Sequence, residues 1–402
     1  MSDLALMGIA QRGVFPTAAK RTAFRHVLVA EALFGASAYQ ELRADWQRLA
    51  ELQGGTVLFQ TPALLAAWAR HFARGRGGWP ATIVVRHESR TVLIWPLFVE
   101  RRGFCRVVSG AGAPIGQYDD ILLDPDYDGQ AAMLAAMDTL VDAVRPDLVI
   151  LERVRADSAL RAALTGTPPL CWAEGAPYTD LSNGMEGMWS TRKPRVARQQ
   201  KKRLRTLAKH GQVDFQVASD PAEAAAWLAE ALALKRDWLR DTGRVSRAFM
   251  KPETTDCLTE LAETLNGSDA SPRMIVFKLS LDGRTAAIEA GFRHRDTYHL
   301  YLGAFEPEFA KLGPGNVLTE KALEWCVANG VTTYDMLAPR SRNKREWQSN
   351  EVAIVDFALP ATLRGRLYAA LVLKRLAPAL RDAFYALPPG VRSFVARMAL
   401  RM

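Results

Sequence analysis

The sequence predicts an α/β (α+β) fold of two tandem halves followed by a basic helical tail. Three observations carry that prediction. Short apolar or alternating runs, which read as strands, are interleaved with longer runs of helical period. The order strand, helix, hairpin, helix, strand occurs twice along the 402 residues, a length that supports two or three domains with substantial cores. Between the two occurrences stands a cationic stretch in which Pro194, a natural first helical residue, opens a connecting helix.

The elements follow in chain order. Residues 1–38 read as a loose lead-in. Lys20, Arg21 and Arg25 precede the apolar run Val27 to Ala38, and Ala36-Ser37-Ala38 imitates a cleavage site, but Glu31 interrupts the run and the basic start lies deep in the chain. In the first half, residues 39–190, Thr56 to Phe59 reads as a strand, and Thr61 can cap a helix that opens at Pro62 and runs through Phe72. Strands Thr82 to Arg86 and Thr91 to Val99 flank a polar turn, Cys105 to Ser109 is extended, Gln130 to Val144 is helical, and Leu148 to Arg153 is a buried strand. Residues 191–210 are the connecting helix.

In the second half, residues 211–359, Val213 to Phe215 is a strand, and Pro221 to Leu239 and Glu253 to Leu265 are helices. Met274 to Ser280 and Thr285 to Phe292 form a hairpin across Asp282-Gly283. A helix from Asn316 stops at Asn329-Gly330, followed by a short strand within Val331 to Leu337 and a last strand, Val352 to Leu359. The tail, residues 360–402, is expected to break at Pro378 and again at Pro388-Pro389-Gly390.

The net charge of +9 is uneven. Arg192 to Lys209 holds nine Lys/Arg and no acid, and Phe357 to Met402 holds eight against one acid, Asp382, so the rest of the chain carries −7. Local basicity points to local anionic partners. The connecting helix reads either as a solvated face or as a cationic wall beside a cleft. The tail reads either as an arm packed on the body or as an amphipathic segment lying on an anionic membrane. No recognition-helix motif or interleaved aromatics accompany the charges, which argues against nucleic acid. Cys105, Cys171, Cys257 and Cys326 are far apart, as expected for reduced thiols in a cytoplasmic protein, and the six histidines show no metal-ligand spacing. No apolar run approaches 18 residues, the length that spans a bilayer.

The most specific motif is Leu312-Gly313-Pro314-Gly315-Asn316-Val317, between the hairpin and a helix. By itself it reads as a sharp turn or as an anion site, because glycines admit a close backbone and the first helical turn offers free amides. The context resembles the second half of a GNAT N-acetyltransferase domain. It is most similar to the CelD-like, acetyltransferase 6 branch of bacterial exopolysaccharide and cellulose gene clusters, a branch related to the FemAB peptidyltransferases. The carrying residues are Gly313-Pro314-Gly315 for the turn, Tyr334-Asp335 for the aromatic-Asp strand, and Lys344 with Trp347 for a Lys-x-x-Trp end, within a match over roughly Gln53 to Leu359. The turn departs from the fuller Arg/Gln-x-x-Gly-x-Gly/Ala pattern of typical GNAT enzymes.

The resemblance implies two GNAT-like halves and acyl transfer from acetyl-CoA, without a metal, to an amine or hydroxyl of a sugar or polysaccharide precursor. The alternatives are a FemAB-like aminoacyltransferase taking its donor from charged tRNA, and a non-catalytic polysaccharide-binding scaffold.

Acyl transfer needs a donor anchor, a hydrogen-bond donor for the developing oxyanion and a base for the acceptor. The anchor is assigned to Gly313, Gly315 and Asn316, with Lys311 either adding charge or standing as a routine surface lysine. Glu289, alone among Ala and Ile, is either solvent-facing or a buried base with a raised pKa. Asp335 faces the same cleft or caps a turn. Tyr301 shares a face with His299 and either reprotonates the leaving thiolate or packs. Tyr118, Asp119 and Asp120 either line the acceptor groove or belong to an ordinary loop. Lys344 and Trp347 are the other acceptor candidates.

Overall fold

The computed structural model describes residues 28–73, 77–265, 272–341, 343–388 and 390–394. Among these residues thirteen strands form one mixed sheet: β1 (Leu28–Phe34), β2 (Trp79–His87), β3 (Arg90–Arg102), β4 (Cys105–Gly110), β5 (Leu122–Leu123), β6 (Leu148–Arg155), β7 (Cys171–Asp180), β8 (Val213–Val217), β9 (Arg273–Leu281), β10 (Arg284–His294), β11 (Thr297–Phe305), β12 (Thr333–Asp335) and β13 (Asn350–Pro360). Their spatial order is β1-β2-β3-β4-β6-β13-β7-β12-β11-β10-β9-β8, with β5 added on β3.

The two halves repeat one plan. In each, an antiparallel hairpin leads to a strand that pairs in parallel with the next after a helical crossover. In the first half β4 pairs with β6 across the helix Gly129–Val144, and in the second β11 pairs with β12 across the helix Pro314–Ala328. The closing strands are exchanged: β13 lies against β6, whereas β7 lies against β12, and β7 and β13 pair with each other. A linear division of the chain is therefore not a division of the sheet.

Local sequence explains most boundaries. The Asp282-Gly283 turn has both residues at positive φ, 49° and 75°, as a two-residue hairpin with a right-handed twist requires. Asp128 caps the first crossover helix by accepting from the amides of Gln130 and Ala131, and Asp220 caps the helix Pro221–Thr242 through the Glu223 amide. One apolar layer lies beneath Gly129–Val144 and another beneath Pro314–Ala328. On the opposite face, a core runs across both halves under the helices Arg43–Gln53, Pro62–Trp68, Pro221–Thr242 and Glu253–Thr264. Cys105, Cys257 and Cys326 are buried free thiols.

Four expectations change. Residues 28–34, read as lead-in, are an edge strand registered on β2 from Leu28 opposite His87 to Phe34 opposite Ala81. The earlier residues, including the basic cluster at 20–25, lie outside the described residues.

Thr56 to Phe59 is not a strand but part of a 3-10 helix, Gly54–Gln60. Val57, Leu58 and Phe59 are buried in succession, which no half-buried strand allows. The segment is pinned by Trp46 Nε1 donating to the Gln60 carbonyl at 2.6 Å and Gln60 Nε2 donating to the Tyr118 carbonyl at 2.7 Å.

β7 carries Gly175 and Pro177 and gave no strand signal. Finally, the tail helix does not break at Pro378. It passes from Leu363–Tyr368 through a π-helical stretch, Ala369–Leu376, into Ala377–Ala386. Pro378 stands at the start of that last segment, where a missing N–H is tolerated.

Candidate active site

The glycine-led helix start is built by the chain leaving β11. A 3-10 turn, Pro307–Leu312, delivers Gly313 at φ 68°, ψ 43°, a left-handed conformation that suits glycine. Pro314 then occupies the first helical position, where its lack of an N–H costs nothing. No side chain among the described residues caps this helix, which leaves its positive end for another partner. A Cβ on Gly315 would meet nothing within 4 Å. Asn316 holds its amide on the Gly313 carbonyl at 3.1 Å, and its Oδ1 accepts from Trp347 Nε1 at 3.3 Å.

The basic helix Pro194–Ala208 packs against this start through Leu207, buried in the same apolar layer as Val317 and Leu318. Arg203 reaches over Gly313: its Cδ and Nε lie 3.6 and 3.7 Å from where a Cβ there would sit. The Arg203 guanidinium donates to Glu346 at 2.8 Å. Lys311 is exposed beside the turn, and Arg195, Arg198, Lys201, Lys202 and Arg205 point to solvent. Gln200, one turn before Arg203, is fully buried, and its amide O and N have no hydrogen-bond partner among the described residues.

β11 pairs with β12 only from Thr297 to His299. From Leu300 to Phe305 its β12-side edge has no strand partner among the described residues, and this edge leads to the glycine start. A bulge interrupts it: Ala290 faces Leu302 and Gly291 faces Leu300, leaving Tyr301 as the extra residue. Bulges re-aim backbone and side chains at just such sites.

Glu289, opposite Gly303, faces the helix Pro314–Ala328 and is 3% exposed. Tyr334 Oη donates to its Oε1 at 2.6 Å and Thr319 Oγ1 to its Oε2 at 3.1 Å. Burial pushes its carboxyl up to about 7, and these hydrogen bonds offset part of that. Because the folded state binds this proton more tightly than the unfolded chain, the stabilisation is complete below the ordinary value of 4.5 and is lost as pH rises to about 7. Glu289→Gln is expected to remove that slope, worth roughly 3 kcal/mol, when denaturation midpoints are compared from acid to neutral pH.

Asp335 is one residue beyond Tyr334 and therefore faces the other side of the sheet. There it joins a polar cluster across the seam between the halves. Arg155 Nη1 donates to Asp335 Oδ2 at 2.6 Å, while its Nε and Nη2 donate to Asp157, both at 2.9 Å. Asp335 Oδ1 accepts the Leu337 amide at 2.7 Å and Tyr118 Oη at 3.5 Å. His299 Nδ1 lies 3.8 Å from Asp335 Oδ2, and the Arg155 guanidinium sits 5.1 Å over the Tyr118 ring. Tyr301 donates to the Ile115 carbonyl at 3.1 Å and packs on Phe249 and Phe292.

The structure thus brings together some sequence candidates and separates others. Tyr118 and Asp335, chosen from different halves, share one cluster. Glu289 does not converge with Asp335 and Tyr301: successive residues of β12 put its partner Tyr334 and Asp335 on opposite faces, and the bulge turns Tyr301 to the face away from Glu289.

Asp119 and Asp120 do not line an open groove. The Asp119 carboxylate accepts the Glu152 amide at 2.7 Å, and that of Asp120 accepts the amides of Ile121 and Leu160 at 2.8 and 2.9 Å. Burial pushes them up to about 8 and about 7. Lys344 Nζ is held by the carbonyls of Leu337 and Pro339 at 2.8 and 2.9 Å, and Trp347 is buried with its indole on Asn316, so both brace the helix start and its neighbouring loop. Arg155, Thr319 and Gln200 escaped sequence reasoning. Arg155 ends an apolar strand, a position where a buried cation gives no periodic signal.

Residues 194–345 match the sequence model of a family described as "Acetyltransferase (GNAT) domain". Comparison with curated proteins finds no match. Among solved structures, the fold is similar to the crystal structure of FemX, at 12% identity and a TM-score of 0.57 over 83% of this chain and 98% of that one. It is also similar to the C-terminal domain (DUF2156) of a putative lysylphosphatidylglycerol synthetase from Agrobacterium fabrum, at 12% identity and 0.52 over 84% and 96%. A conserved protein of unknown function from Bacteroides thetaiotaomicron matches at 11% identity and 0.50 over 81% and 99%. At such identities the likeness is one of fold. Residues 194–345 are thus similar to a GNAT acetyltransferase domain, and the whole is an α/β fold whose two halves repeat one plan within a shared sheet.

Proposed function

We propose that this protein is a GNAT-type acyltransferase that moves an acetyl or related acyl group from acetyl-CoA to an amine or hydroxyl of a sugar on a polysaccharide precursor. The observation that carries the donor side is the uncapped helix start at Gly313-Pro314-Gly315 lying under Arg203. In this reading the diphosphate accepts from the helix amides, with Arg203 and Lys311 supplying charge. The donor's amide-bearing arm runs along the edge of β11 that no strand among the described residues covers, as an added strand would. The thioester then lies near the bulge at Tyr301, where a backbone amide polarises its carbonyl. The acceptor attacks that carbonyl, the C–S bond breaks, and the thiolate leaves. Glu289, ionised above about pH 7, takes the proton the acceptor loses.

The exposed cations of the basic helix and the FemX-like fold keep charged tRNA as the second donor class. Calorimetry with acetyl-CoA, desulfo-CoA and charged tRNA separates the readings. Binding of both CoA compounds at one site supports the proposal. Binding of tRNA alone replaces it with aminoacyl transfer, and binding of none replaces it with a non-catalytic scaffold.

A further inference from the structure

The last described helices form an arm that packs on a small apolar cluster of β4 and β6 through Ala369, Tyr368 and Leu373 and takes no part in the larger cores. Leu363–Tyr368, Ala369–Leu376 and Ala377–Ala386 make one continuous helix. Its start is fixed to the first half. The amides of Ala361 and Thr362 donate to the Asp147 carbonyl at 2.9 and 3.3 Å, and Thr362 caps the helix through the Gly365 amide. A Cβ at Gly365 would collide with the Asp147 carbonyl, so only glycine lets the helix sit this close. Beyond the helix the chain returns to the body, where Ser393 is buried and donates to the Asp241 carbonyl at 3.4 Å.

Between these anchors the arm presents its apolar residues to solvent. Leu363 is 74% exposed, Leu367 57%, Leu371 54%, Leu376 52% and Leu380 62%. Phe104, on the β3–β4 turn, is 56% exposed with its ring 6.3 Å from that of Tyr368. Residues 361–394 also hold six cations, Arg364, Arg366, Lys374, Arg375, Arg381 and Arg392, against one acid, Asp382.

We propose that this arm docks the protein on an anionic lipid surface, with the leucines at the boundary of headgroups and acyl chains and the cations on lipid phosphates. Each feature excludes a different occupant. A second copy of the arm would set like charges against each other. A nucleic acid or acidic polysaccharide would neutralise the cations and leave the leucines wet. An anionic bilayer satisfies both. The donor site plays no part in this argument, so docking and catalysis can fail independently.

The test is flotation of the full chain with vesicles of phosphatidylcholine alone or mixed with phosphatidylglycerol. Binding is expected only to the mixed vesicles and is expected to fall as salt rises. Leu367→Asp with Leu371→Asp should weaken it by about tenfold or more, and Lys374→Gln with Arg375→Gln should weaken it and flatten the salt dependence. All four side chains are exposed, and thermal melting confirms that each variant is folded. The proposal is overturned if the wild type ignores mixed vesicles or if the leucine variant binds as well as wild type. A dimer in sedimentation that the leucine substitutions abolish also overturns it.

Discussion

Gly315→Val is expected to weaken acetyl-CoA binding by about a hundredfold while the protein remains folded. The fold survives because a Cβ at this position enters open space, and a β-branched residue in the first helical turn costs only a few tenths of a kcal/mol. The ligand suffers because the added methyls occupy the volume in front of the helix amides. Losing a charge-assisted hydrogen bond from that position costs roughly 1.5–3 kcal/mol, which at its upper end is about a hundredfold in Kd. Titration calorimetry against desulfo-CoA reads this without turnover. Gly315→Ala, with a single methyl, should lie between wild type and valine. Unchanged affinity in the valine variant would falsify the placement of the diphosphate at this helix start.

Arg155→Met should destabilise the protein by roughly 3–5 kcal/mol, the range for removing one partner of a buried ion pair. Arg155 and Asp335 have side chains only 8% and 3% exposed, and their contact crosses the seam between the halves. With the guanidinium gone, the Asp335 carboxylate keeps the Leu337 amide and the Tyr118 hydroxyl but loses its counter-charge. Asp335→Asn in the same chain removes the unpaired charge, so the double variant should recover much of the loss. Denaturation midpoints of the four proteins in the cycle give the coupling. If the single variant melts like wild type, the cluster does not hold the halves together.

The sequence made the regular elements legible where local chemistry decides them. Asp282-Gly283 demanded a hairpin, Pro221 and Pro314 opened helices, and the apolar period of 316–329 fixed the crossover that presents the glycine start. It failed where tertiary packing decides. Val57 to Phe59 has strand composition but is buried on all sides as a 3-10 turn. β7, with Gly175 and Pro177, is a strand because two neighbours impose it. At the site, a lone Glu289 in an apolar strand signalled a buried carboxylate, but which face it took depended on register. Asp335 was visible as an acid after Tyr334, whereas its partner Arg155 lies 180 residues away and no local pattern joins them.

The exchange of closing strands sets the timing of assembly on the ribosome. β6 is synthesised within the first 155 residues, but the neighbour that covers its second edge spans 350–360. Until that distant segment emerges, the nascent N-terminal sheet holds an unsatisfied row of main-chain donors and acceptors, a template for aberrant pairing. Severing the backbone in the connecting helix should therefore yield two polypeptides that are insoluble apart and that recover a native core when expressed together.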